Sequence, residues 1–129
     1  MKKSKLPKPT EAELAILRVL WDRGPSTVRE VWQKLSPTQR TGYTTVLKIM
    51  QLMLEKGLLA RDVTQRSHVY QAARSAEHTQ RQVIAHLLDR VFGGSVPKLV
   101  MQALAAKKAT PAELAEIRKL LDQMEGGPK

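Results

Sequence analysis

The hydrophobic period of this chain changes at Gly57 and changes back at about Ser75, an order that few folds accommodate. Up to Gly57 the apolar residues recur three and four apart, the repeat of a helix buried along one side. "TEAELAILRVLWDRG" opens with Thr10 and, three residues on, Glu13, the spacing at which side chain and backbone cap each other. Leu14, Leu17 and Trp21 follow with Ile16 and Leu20 beside them, and Gly24-Pro25 stops the run. Thr27 and Glu30 repeat the cap ahead of Val28, Val31, Trp32 and Leu35. After the loop "SPTQRTG" a third helix runs through "YTTVLKIMQLMLEK" to Gly57.

The segment that follows is β-leaning. Residues 58–64 and 68–72 hold Val63, Val69 and Tyr70, and the short polar link "QRS" suits a hairpin. Beyond Ser75 the helical period returns. Residues 77–92 carry Val83, Ile84, Leu87, Leu88, Val91 and Phe92, and Gly93-Gly94 breaks the run. A shorter helix is predicted over 97–105. Thr110, Pro111 and Glu113 cap a last one, where Leu114, Ile117, Leu121 and Met124 keep heptad spacing. The expected fold is therefore mainly α with a small β-hairpin. Three helices and a hairpin make a winged helix-turn-helix domain, followed by a C-terminal helical dimerisation region. The expected divisions are a disordered basic arm over 1–9, the winged helix over 10–74 and the dimerisation region over 75–126.

Charge says what such a fold would meet. The 129 residues include 22 Lys and Arg against 12 Asp and Glu, a net of +10. Most of the excess precedes Ser75, so a polyanion is expected to meet the first half of the chain. No cysteine is present, which excludes disulfides, thiolate metal sites and a Cys nucleophile and fits a reducing, cytoplasmic interior. No apolar run reaches the roughly 20 residues of a membrane span. "MKKSKLPKP" has no apolar core behind its lysines, so it reads as a solvated or DNA-contacting arm and not a secretory signal.

The third helix carries the chemistry. Val46, Leu47, Ile49, Met50, Met53 and Leu54 are its expected buried side, which leaves Thr44, Thr45, Lys48 and Gln51 outside. Gln can pair with adenine, Lys can reach guanine or phosphate, and Thr offers a hydroxyl or a methyl to thymine. No acid joins them until Glu55. A solvated helix face is the competing account, but the order of elements and the basic first half favour a helix that reads double-stranded DNA. Arg40 ahead of the helix and Arg66 and His68 at the wing tip complete the candidate DNA-binding set.

Catalysis is not expected. His78 and His86 stand eight apart, too far for a two-ligand clamp, and no phosphate loop or nucleophile motif is present. No metal ligands and no cofactor are assigned. An RNA partner would want a stacking platform, and the few aromatics do not supply one. A winged-helix adapter for other proteins remains the alternative. In the last three helices Ile84, Leu87, Leu88, Val91, Leu99, Leu114, Ile117 and Leu121 form the expected homodimer interface, because a lone chain would expose them. Folding back onto the first domain is the other way to cover them.

"ELAILRVLWDRGPSTVREVW", "YTTVLKIMQLMLEKGLLARD" and "QRSHVY" together resemble the BlaI/MecI-type penicillinase repressor family, from about Thr10 to Met124. That resemblance implies a cytoplasmic transcriptional repressor, dimeric through its C-terminal helices, with one winged helix on each half of an inverted-repeat operator. It places DNA-facing positions at Thr44, Thr45, Lys48 and Gln51 and at Arg66 in the wing. It also makes a membrane-bound sensor metalloprotease a candidate partner. Three departures stand out. Many members carry an arginine where this chain has Leu52. Antibiotic-responsive members are cut at an Asn-Phe bond, where this chain reads "VMQALAA". Copper-responsive relatives end in a cysteine motif that a chain without cysteine lacks.

Overall fold

The computed structural model describes residues 9–37 and 40–126. Apart from Pro9, the basic arm lies outside them. The elements run α1 (Glu11–Arg23), α2 (Val28–Leu35), α3 (Tyr43–Lys56), β1 (Leu59–Asp62), β2 (Val69–Ala72), α4 (Ala76–Arg90), α5 (Val96–Ala106) and α6 (Pro111–Gly126). The chain divides into two compact units, one ending at Ile84 and the other beginning at Ala85.

The helix starts follow the local rules. At α1 the Glu13 N–H donates to Thr10 Oγ1 at 3.2 Å while Glu13 Oε1 accepts the Thr10 N–H at 2.9 Å. Thr27 and Glu30 repeat that geometry at α2, and Thr110 and Glu113 repeat it at α6. Each reciprocal pair satisfies two N–H groups that the helix itself cannot. The end of α3 needs Gly57, whose φ of 84° lies in the left-handed region. There the Gly57 and Leu58 N–H groups return to the carbonyls of Leu54 and Met53 and turn the chain sharply into β1.

The three helices of the first unit close around one core. Ile16, Leu17 and Leu20 of α1, Val28, Val31 and Leu35 of α2, and Val46, Met50 and Met53 of α3 are buried together, joined by Leu58, Leu59 and Tyr70. Of the apolar set expected to seat α3, Val46, Met50 and Met53 are fully enclosed, whereas Leu47, Ile49 and Leu54 are half-buried at the core margin. Trp21 and Trp32 are also half-buried. Their ring N–H groups explain why, since each still reaches a carbonyl: Arg74 O at 3.0 Å and Thr41 O at 2.9 Å.

A two-stranded ribbon alone is marginal in water. Here β1 and β2 pair antiparallel, Leu59 opposite Ala72 and Asp62 opposite Val69, and Ser26 adds a separate antiparallel bridge by exchanging backbone bonds of 2.9 and 2.8 Å with Tyr70. The wing is thereby pinned to the α1–α2 corner. Both strands stop short of the expected tip, leaving residues 63–68 as the connection. Asp62 causes this in part. Its Oδ1 accepts both the N–H and the hydroxyl of Thr64, at 2.9 and 2.7 Å, and draws the chain out of the ladder.

Helix α4 ends at Arg90, the chain turns through Gly93-Gly94, both with positive φ, and Ser95 caps α5. Neither α5 nor α6 contains a buried residue. No helix among the described residues is long and apolar enough to cross a membrane.

Candidate nucleic-acid interface

Alternation of buried and exposed positions sets the face that α3 presents. With Val46, Met50 and Met53 locked in the core, Thr44, Thr45, Lys48 and Gln51 are all exposed on the opposite side. Glu55 stands exposed at the C-terminal end of that stripe, and Leu52, 45 % exposed, lies beside it. The first turn of α3 has no acidic residue and its N-cap, Gly42, provides no side-chain hydrogen bond. Nothing carried by the helix itself therefore repels an anion there.

The remaining predicted residues sit on flanking segments. Arg40 is exposed in the stretch leading to α3, and Arg66 and His68 are exposed in the β1–β2 connection. Short strands make that connection longer than "QRS" and bring Val63, 53 % exposed, into it.

Two contacts that sequence reasoning missed fix the entry to α3. Tyr43, its first residue, meets Trp32 edge-on with ring centroids 5.9 Å apart and planes at 88°. The Arg29 guanidinium lies over the Tyr43 ring, 5.4 Å from its centroid. Tyr43 lies eleven positions from Trp32 and fourteen from Arg29, on a different helix, so neither contact carries a local signal.

The far end of α3 is held by an ion pair. Lys56 Nζ lies 2.6 Å from Glu13 Oε2, and the Glu13 side chain is only 6 % exposed. Burial pushes the Glu13 carboxyl up. The Lys56 hydrogen bond, the Thr10 backbone N–H and the Lys56 charge outweigh burial, so its pKa falls below the ordinary carboxylate value. Near the α1–α2 corner, Arg23 Nη2 meets Glu30 Oε2 at 2.8 Å. The Thr27 N–H is the main reason the Glu30 carboxyl is also lowered.

A helix-turn-helix joined to a wing, with an outward polar face that carries Lys48 and no acid before Glu55, defines a DNA-binding transcriptional repressor once its relatives are considered. The family model described as Penicillinase repressor matches residues 9–123, so the chain belongs to the penicillinase repressor family. The Penicillinase repressor of Bacillus licheniformis is 25 % identical over 120 residues, covering 92 % of this chain and 93 % of the relative. The Transcriptional regulator BlaI of Mycobacterium tuberculosis is 27 % identical over 128 residues, covering 96 % and 90 %. A solution structure of the monomeric form of B. licheniformis BlaI with the blaP half-operator aligns at a TM-score of 0.50 and 26 % identity, over 57 % of this chain and 89 % of that one. Members of the family are transcriptional repressors, not enzymes.

Proposed function

We propose that this repressor acts as a homodimer on an inverted-repeat operator in the cytoplasm, each winged helix taking one half-site. The observation that carries the reading is the exposed stripe of Thr44, Thr45, Lys48 and Gln51, held outward by the burial of Val46, Met50 and Met53. In this reading α3 enters the major groove and those four side chains meet base edges. Arg40, Arg66 and His68 take backbone positions. The half-operator bound to monomeric B. licheniformis BlaI supports one winged helix per half-site.

Dimerisation is supported by the apolar surface of the second unit. Val91, Val96, Met101, Leu121 and Met124 are each more than half exposed in the single chain. Such surface marks an interaction site, and a second copy with the same face would cover it by two-fold symmetry. Of the residues assigned to that interface, Ile84, Val91, Leu114 and Leu121 are exposed, while Leu87, Leu88, Leu99 and Ile117 are partly covered.

The test is binding to a duplex from immediately upstream of the protein's own gene, beside a scrambled duplex, over several salt concentrations. A sequence-specific dimer gives a clear preference, a steep fall with salt and two chains per site. Lys48→Ala should cost roughly 1–3 kcal/mol on the specific duplex if Lys48 reads a base. Equal, weak binding to both duplexes would count against an inverted-repeat operator upstream of the protein's own gene. Release by a membrane-bound sensor metalloprotease is the family-implied signal. With no Asn-Phe bond in "VMQALAA", it requires cleavage elsewhere, and an intact mass after incubation with such a protease would remove it.

A further inference from the structure

Two arginines flank the α1–α2 corner, and the fold uses their charges differently. Arg23 is committed: its Nη2 donates to Glu30 Oε2 at 2.8 Å and its Nε to Ser26 Oγ at 3.1 Å. Arg29 is exposed, and the ion pairs among the described residues, Arg23–Glu30 and Lys56–Glu13, do not include it. Its guanidinium is nevertheless placed, 5.4 Å from the centroid of the Tyr43 ring. Tyr43 in turn is set edge-on against Trp32, whose ring N–H donates to Thr41 O at 2.9 Å. A surface arginine therefore has a full charge, no carboxylate to quench it and an aromatic contact that restricts its orientation.

That combination suits one kind of ligand. A guanidinium resting on a ring keeps N–H donors at its edge and loses less freedom on binding than a free side chain. Tyr43 directly precedes Thr44, the first residue of the exposed stripe, so the charge sits beside the reading face. Accepting the DNA reading above, we infer that Arg29 grips a phosphodiester of the DNA backbone at the entrance of α3, and that Tyr43 positions it for that contact. Such a contact fixes how α3 lies in the groove without reading sequence.

The experiment measures full-length wild type, Arg29→Gln and Arg29→Lys by anisotropy on the upstream duplex and on its scrambled counterpart, as a function of salt. Arg29→Gln should weaken binding roughly tenfold on both duplexes. Its log–log salt slope should be shallower by about 1, the signature of one lost phosphate contact. Arg29→Lys keeps the charge and should keep the slope. A wild-type slope in Arg29→Gln overturns the assignment, and so does weaker binding at an unchanged slope, which would mean that Arg29 only supports the fold. Failure of the wild type to bind either duplex removes the DNA reading itself, and this assignment with it.

Discussion

The two units of this chain dispose of their apolar side chains in opposite ways. In the first, α1, α2, α3 and the wing enclose a shared core whose centre, Ile16, Val31, Val46, Met50 and Met53, is at most 1 % exposed. In the second, α5 and α6 bury no residue, and Leu121 and Met124 stand 57 % and 72 % exposed. Both are helical and comparably patterned. What separates them is whether the apolar side of each helix finds another element of the same chain. A unit that meets its own needs can hold a reading helix rigid. A unit that does not leaves apolar side chains exposed, the surface that the proposed dimer would cover.

The comparison breaks first at the core. Met50→Ala should lower the unfolding free energy by about 2–5 kcal/mol, read from urea denaturation, because it empties a site with no route to solvent. A loss within 0.5 kcal/mol would mean that the first unit is not the stable part. Next, Leu114→Asp combined with Leu121→Asp should leave a monomer by sedimentation equilibrium. Affinity for a duplex with both half-sites should then fall about 10²-fold as the second winged helix ceases to be tethered. A variant that keeps the dimer mass would place the dimer contact elsewhere, and a monomeric wild type would remove the dimer proposal.

The smallest effect sharpens the account of how α3 is anchored. Lys56→Met should cost roughly 1–2 kcal/mol by leaving the buried Glu13 carboxylate with one partner fewer, the half-exposure of Lys56 keeping the figure low. Glu13 has a lower pKa folded than unfolded, so the native state binds its proton less tightly. Its contribution is complete above the unfolded carboxylate value and disappears as pH falls through the lowered folded one. Acid denaturation followed by circular dichroism should therefore show a weaker pH dependence in Lys56→Met. An identical profile would show that Lys56 is not what lowers Glu13.

Much of the candidate site could be read from residues close together in sequence. The stripe at Thr44, Thr45, Lys48 and Gln51 follows from helical spacing once the Val46, Met50 and Met53 side is recognised as apolar. The wing was legible as a period change, but its ends were not, because Asp62 diverts the strand through a side-chain bond to Thr64 that competes with the ladder. Arg29 was missed because its partner Tyr43 lies beyond a loop, where neither period nor charge predicts a ring contact.

Sequence alone determined where α1, α2 and α6 begin, since the caps Thr10–Glu13, Thr27–Glu30 and Thr110–Glu113 close within four residues and need no help from the rest of the chain. It also determined the net charge, which is a matter of composition, and the order of the elements, which follows from the local hydrophobic period. Tertiary structure alone decided that Glu13, already committed to a cap, also receives Lys56, and that Ser26 extends the wing through Tyr70. Those pairs lie dozens of residues apart. Which of many charged or polar groups meet at such separation is settled by how the helices pack.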